Sequence, residues 1–175
     1  EHSAFPGTIR LSVDSMISLV CDVCLSLRRG GFDMIILLNG HGGNEAPLKV
    51  AAVKLRDALS MIVGVVNWFD LIAAKKTDHG GHMETSIVLS AAPSLVKDFH
   101  NVPAFKAVKK YVSFKVPVQI PLPDMWVHTA GRGYLGDPSI ASKVYGSRLL
   151  DEASDNLVNY VVRVVKFGHL FGRIF

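Results

Sequence analysis

The chain has 175 residues, 49% of them hydrophobic and 19% charged, with a formal net charge of +4. That composition excludes a disordered polypeptide, and the length suits one domain burying roughly 70% of its unfolded surface. The longest apolar runs, Met34 to Leu38 and Met61 to Val66, fall far short of the roughly 20 residues of a membrane-spanning helix, so no membrane contact is expected. Basic residues occur as the separated pairs Arg28-Arg29, Lys75-Lys76 and Lys109-Lys110, only the last beside an aromatic, Tyr111. Nucleic acid is therefore not an expected partner.

In chain order, Ser12 is placed to cap a helix whose apolar residues Val13, Met16, Ile17, Val20, Cys24 and Leu27 recur at three and four, and Gly30-Gly31 ends it. The run Asp33 to Leu38 reads as a strand buried on both faces, which implies a parallel sheet. The turn Asn39-Gly40-His41-Gly42-Gly43-Asn44 follows, with Asn44 as expected cap of a helix to about Leu59, and Met61 to Asn67 is the next parallel strand. Trp68 to Gly81 reads as loop, and Glu84 opens a helix running to about Ala92. Val116 to Ile120, interrupted by Pro117, suits an edge strand. Asp137-Pro138 has the order of a helix start, and Ile140, Val144, Leu150, Ala153, Leu157, Val161 and Val165 carry a long amphipathic helix behind it. The expected architecture is a layered α/β sandwich, in one domain over residues 1–175. Cys21 and Cys24 lie inside the first helix, so core packing is expected of them, and a reducing, cytoplasmic compartment.

Two constellations could carry chemistry. His41 stands just past the carboxyl end of a parallel strand, where open α/β sheets place their ligands. Gly40, Gly42 and Gly43 clear space around it, permitting positive φ and close approach of a metal, water or substrate. The alternative is a tight turn whose histidine bonds a neighbouring carbonyl, and the flanking glycines favour a site. The second constellation is Asp78-His79-Gly80-Gly81-His82-Met83-Glu84-Thr85-Ser86. Its imidazoles and carboxylates suit Zn, Mn or Fe(II), and an unligated member could serve as general acid or base. The same residues also suit a structural role, with Asp78 and Thr85 as caps, Glu84 at the favourable end of a helix dipole and the histidines packing the loop.

Taken together, three segments resemble the creatininase family of metal-dependent amidohydrolases: Glu1-His2 with Phe5-Pro6-Gly7-Thr8-Ile9, Asn39 to Asn44, and His79-Gly80-Gly81 with Glu84-Thr85-Ser86. Gly133 to Pro138 also fits, so the resemblance spans nearly the whole chain. It implies a three-layer α/β/α fold with a mostly parallel sheet, two divalent metal ions (Zn, Mn or Fe), hydrolysis of a cyclic or linear amide C–N bond of a small molecule, and a homo-oligomer, often a hexamer. By the same resemblance His41 is a metal ligand, His79 protonates the leaving nitrogen or holds substrate, and Glu84 is a metal ligand or polar support at the catalytic centre. Gly42, Gly43 and His82 then face substrate. Gly43 stands where creatininase itself has a glutamate, and His82 where many members have an acidic residue, which makes creatinine an unexpected substrate. The family's preceding segment, with a Glu-x-His pair and a bridging Asp, would lie before Glu1, so a truncated chain is expected. A non-catalytic homologue serving as an assembly or interaction subunit is the competing reading.

Overall fold

The computed structural model describes residues 2–59, 61–74, 78–106 and 129–171. Among these described residues four α-helices and two strands follow in order: α1 (Val13–Arg29), β1 (Met34–Asn39), α2 (Glu45–Leu59), β2 (Ile62–Asn67), α3 (His82–Ala91) and α4 (Lys143–Phe171). The chain divides into two compact units. One comprises the described residues of Leu11–Ala73 and Glu152–Phe175, here the sheet unit; the other those of Glu1–Arg10 and Ala74–Asp151, here the turn unit.

In the sheet unit, the Ser12 hydroxyl accepts the Ser15 N–H at 3.1 Å and starts α1 as expected. Gly31, at φ +93°, turns the chain after the last helical residue, and Arg28 pairs with Asp33 across that turn. The buried line of α1 is narrower than the expected stripe: Ile17 and Cys24 are buried, whereas Val13 and Leu27 are exposed. β1 and β2 pair in parallel from Met34↔Ile62 to Asn39↔Asn67. α2 buries Leu48, Ala51 and Leu55, spaced three and four apart as one helical face, and Met61, Val66 and Ile72 complete the core. Each large apolar side chain buried there contributes about 1.5–3 kcal/mol. The expectation of a strand buried on both faces is corrected for β1: Met34 to Leu37 are half-buried and Leu38 is 54% exposed. Among the described residues β1 has a strand partner on one edge only. α4 is tied to this unit by Glu152, which accepts the Ala73 N–H at 2.7 Å, and by Asn156, which donates to the Leu71 carbonyl at 2.8 Å. At the centre of β2, a Cβ on Gly64 would stand 3.3 Å from the Tyr160 hydroxyl of α4.

The turn unit is built on α3, the first part of α4 and two isolated antiparallel bridges, His79↔Leu135 and Phe105↔Gly136. The buried Ser86 hydroxyl donates to the His82 carbonyl at 2.6 Å and accepts the Ser142 N–H at 3.0 Å, joining α3 to the start of α4. Two expected helix starts are corrected. Asp137 caps only a single 3-10 turn, Pro138–Ile140, because Ala141 returns to extended backbone; Ser142 then caps α4 by accepting the Tyr145 N–H at 3.2 Å. α3 begins at His82, two residues before Glu84, with Gly81 ahead of it. The Val116 to Ile120 strand, Lys75-Lys76 and Lys109 to Tyr111 lie outside the described residues. No described helix is long and apolar enough to cross a membrane.

Candidate functional site

In the sheet unit, the two paired strands end on asparagines that meet. The Asn39 amide donates to the Asn67 side-chain oxygen at 2.8 Å, and Asn67 donates to Asp70 at 2.8 Å. Asn39, 2% exposed, also accepts the His41 N–H at 3.1 Å and donates to the His41 carbonyl at 2.8 Å. One buried side chain thus fixes the His41 backbone at both ends. In the sequence Asn39 and Asn67 are marked only as a polar amide closing each of two apolar strands. His41 is half-buried in extended backbone, φ −149° and ψ 134°, and its Nδ1 accepts the Gly43 N–H at 3.1 Å. The imidazole therefore caps a 3-10 turn, Gly42–Asn44, that leads into α2. His41 opens the 3-10 turn because its ring folds forward over it, and α2 then begins at Glu45, directly after Asn44 and where the sequence places a helix start. The expected positive φ is also corrected. None of Gly40, Gly42 and Gly43 takes a positive φ, and the first two provide open space: among the described residues nothing lies within 4 Å of a Cβ on Gly40, and only the Phe69 ring, at 3.9 Å, of one on Gly42.

The donor chemistry at His41 fits a divalent metal ion. Coordination needs a ring nitrogen that carries no proton. With Nδ1 accepting from Gly43, the neutral ring bears its proton on Nε2, so ligation through either nitrogen gives up the Gly43 contact. That loss is about 1 kcal/mol, against about 10 kcal/mol or more for a zinc ion in a complete coordination shell.

In the turn unit, His79 and Glu84 belong to one clasp. The His79 N–H donates to the Leu135 carbonyl at 2.9 Å, and the Leu135 N–H donates to the His79 carbonyl at 2.6 Å. The Glu84 Oε2 accepts the Gly80 N–H at 2.5 Å, Thr85 Oγ1 donates to the Gly80 carbonyl at 3.2 Å, and Gly80 takes φ +60°. The Asp78 Oδ2 accepts the Met83 N–H at 2.6 Å and so caps α3 from outside the helix. Its Oδ1 is buried without a hydrogen-bond partner among the described residues. Burial pushes the Asp78 carboxyl above the usual carboxylate range, and the nearby Glu84 adds to this; the Met83 N–H and the imidazoles of His82 and His79 oppose it. The capping role weighed for Asp78 is thus realised. Glu84 stands in the first turn of α3, the favourable end of its dipole, with one carboxylate oxygen in a hydrogen bond to Gly80.

The His79 ring stacks on His2, centroids 4.9 Å apart at 13°, and one nitrogen from each lies within 4.8 Å of the other. His2 was not singled out in the sequence, though it stands in the opening motif beside Phe5, whose ring packs against Gly133. His82 stacks on Tyr145 at 4.5 Å, and the Arg148 guanidinium sits 5.6 Å from the same ring. Cys24 is buried and Cys21 half-buried as free thiols in α1, in line with packing. Trp68 packs edge-on against Phe69 at 6.1 Å, while Trp126 and His128 lie outside the described residues.

A family model described as "Creatininase: Creatinine amidohydrolase" matches residues 1–161. A mycofactocin precursor peptide peptidase of Mycobacterium ulcerans is 30% identical over 168 residues, covering 93% of this chain and 61% of that protein. The chain thus spans about three-fifths of the length of the curated relatives it matches. Among solved structures, a putative creatinine amidohydrolase from Bacteroides fragilis superposes with a TM-score of 0.74 at 22% identity, covering 90% of this chain and 64% of that one. A Zn–Zn form of a creatininase variant superposes at 0.71 and 25% identity, covering 90% and 66%.

Proposed function

Because the chain belongs to the creatininase family and has its α/β fold, the fold of metal-dependent amidohydrolases, we propose that the protein hydrolyses an amide C–N bond in a small molecule or peptide. The observation that carries this reading is the clasp of the turn unit, which holds His79 by two backbone hydrogen bonds and a stacked ring beside Glu84. A general acid has to meet a leaving nitrogen in one orientation, and such fixing supplies it.

In this reading His41 is a metal ligand, and Glu84 is a ligand or the polar support of one through the carboxylate oxygen not bonded to Gly80. Two divalent ions, Zn, Mn or Fe, suit imidazole and carboxylate donors. A bound ion supplies Lewis-acid activation of water near neutral pH and neutralisation of developing negative charge. His79 delivers a proton from a ring nitrogen to the departing amine, its ring direction set by His2. Gly42 and Gly43 leave backbone exposed for substrate to approach, and His82, held flat against Tyr145, presents an imidazole edge to it. A glycine at residue 43 where creatininase has glutamate, together with a relative named as a peptidase, favours a linear peptide amide over creatinine. Homo-oligomeric assembly is part of the same proposal.

The test is hydrolysis by the protein at its natural length. It is assayed against creatinine and a panel of blocked linear peptides, before and after chelation and after return of Zn or Mn. The reading expects peptide cleavage that chelation abolishes and metal restores. Cleavage that survives chelation, or that proceeds unchanged in a His79→Ala variant, overturns it.

A further inference from the structure

Among the described residues of the turn unit, half-buried Asp78 is the one ionisable side chain with a buried oxygen, Oδ1, that has no hydrogen-bond partner. An exposed Ser, Thr or Asn would cap α3 as well, without the desolvation of a buried carboxylate. The cap is also confined on two sides. A Cβ on Gly81 or on Gly136 would stand 2.8 Å from the Asp78 Cβ, closer than real side chains come, so only glycine fits at either place. The Asp78 side chain is therefore wedged between the segment that enters α3 and the strand-like segment that holds His79.

Its hydrogen bond completes a reciprocal arrangement. Asp78, ahead of the turn, reaches forward to the Met83 N–H, and Glu84, on the helix, reaches back to the Gly80 N–H. His79 lies inside this double closure with its backbone paired to Leu135. Two carboxylates thus lock the turn to the helix from opposite ends, and the imidazole direction is set by that lock together with the stack on His2. We propose that Asp78 is the positioning residue of His79, its carboxylate clamping the 78–83 turn to α3 so that the imidazole stands in a single orientation. The inference rests on the reading of His79 as the proton donor. The clamp itself is a statement about structure and is measurable without turnover.

The experiment compares wild type, Asp78→Ala, Asp78→Asn and His79→Ala at natural length. The probes are hydrolysis of blocked linear peptides, amide exchange at Gly80, and the ring-current shift that His2 imposes on His79. Unchanged exchange in α1 serves as the folding control. Asp78→Ala is expected to raise Gly80 exchange about tenfold and to collapse the ring-current shift. It should lower kcat about tenfold or more with KM nearly constant, since misplacing a catalytic group acts on the transition state. Asp78→Asn keeps an acceptor for Met83 and should restore most of all three. Unchanged Gly80 exchange and ring shift in Asp78→Ala, or equal losses in Asp78→Asn and Asp78→Ala, refute the clamp. Wild-type turnover in His79→Ala refutes the proton-donor reading instead, and leaves the clamp to be judged by exchange and ring shift alone.

Discussion

Replacing Gly146 by alanine sets two expectations of opposite sign against each other. Gly146 lies in the first turn of α4, where alanine is the better helix former by about 1 kcal/mol, so local propensity alone forecasts a more stable protein. The structure forecasts the reverse. A Cβ at residue 146 would stand 2.9 Å from the Ile87 amide nitrogen and closer still to the Ser86 carbonyl. Both are backbone atoms of α3 and neither can swing aside as a side chain would. The helices must part, at an overpacking cost of about 1–3 kcal/mol. Parting also strains the hydrogen bond from the Ser142 N–H to the buried Ser86 hydroxyl, worth about 1–3 kcal/mol when a buried partner is left unsatisfied. After the propensity gain of about 1 kcal/mol, the net loss is about 1–5 kcal/mol. That corresponds to a fall in Tm of about 2–20 °C for a chain of this size. Thermal unfolding of Gly146→Ala followed by circular dichroism measures it directly, and a Tm equal to or above wild type would refute the close packing of α3 on α4.

Three further outcomes follow from other parts of the structure. Asn39→Ala removes a buried amide that holds both ends of the His41 backbone and bonds Asn67; it should cost about 2–4 kcal/mol in urea unfolding, and a loss under about 0.5 kcal/mol would contradict that role. Burial raises the Asp78 carboxyl pKa, so the folded state prefers its protonated form. Its stabilising effect is whole below the ordinary carboxylate pKa and fades as pH rises through the raised folded value. Urea titrations from pH 3.5 upward should therefore show wild type losing more stability than Asp78→Asn over that interval, and parallel curves would remove the effect. Burial likewise raises the Cys24 thiol pKa, with Cys21 adding to it. A thiol reagent should label half-buried Cys21 well before Cys24, and equal rates would place Cys24 at the surface.

Where order is local, the sequence was readable. Ser12 and Gly30-Gly31 bound α1 because a cap and a glycine turn depend on residues three or four positions away. The two apolar strands and the placing of His41 at a strand end follow from runs and turns that need no distant partner. Several departures depend on long-range contacts. Asp137-Pro138 has the order of a helix start, yet α4 waits for Ser142, whose amide is held by Ser86 from 56 residues earlier. The glycines beside His41 read as backbone devices, yet the demanding glycines are Gly80 by its φ and Gly81, Gly136 and Gly146 by the atoms pressed against them. His2 gains its place at the candidate site only by stacking on a residue 77 positions later in the chain. Glu84 shows a different limit: the motif marks it, but only coordinates reveal that one of its oxygens already serves the Gly80 amide.

The central claim separates two imidazoles by task, one holding metal and one moving a proton. Metal analysis of the purified protein at its natural length, in His41→Ala and His79→Ala beside wild type, tests it most directly. The account predicts that His41→Ala loses bound Zn or Mn while His79→Ala keeps nearly the wild-type content but fails to turn over peptide amides. Equal metal content in the two variants would contradict the division of labour.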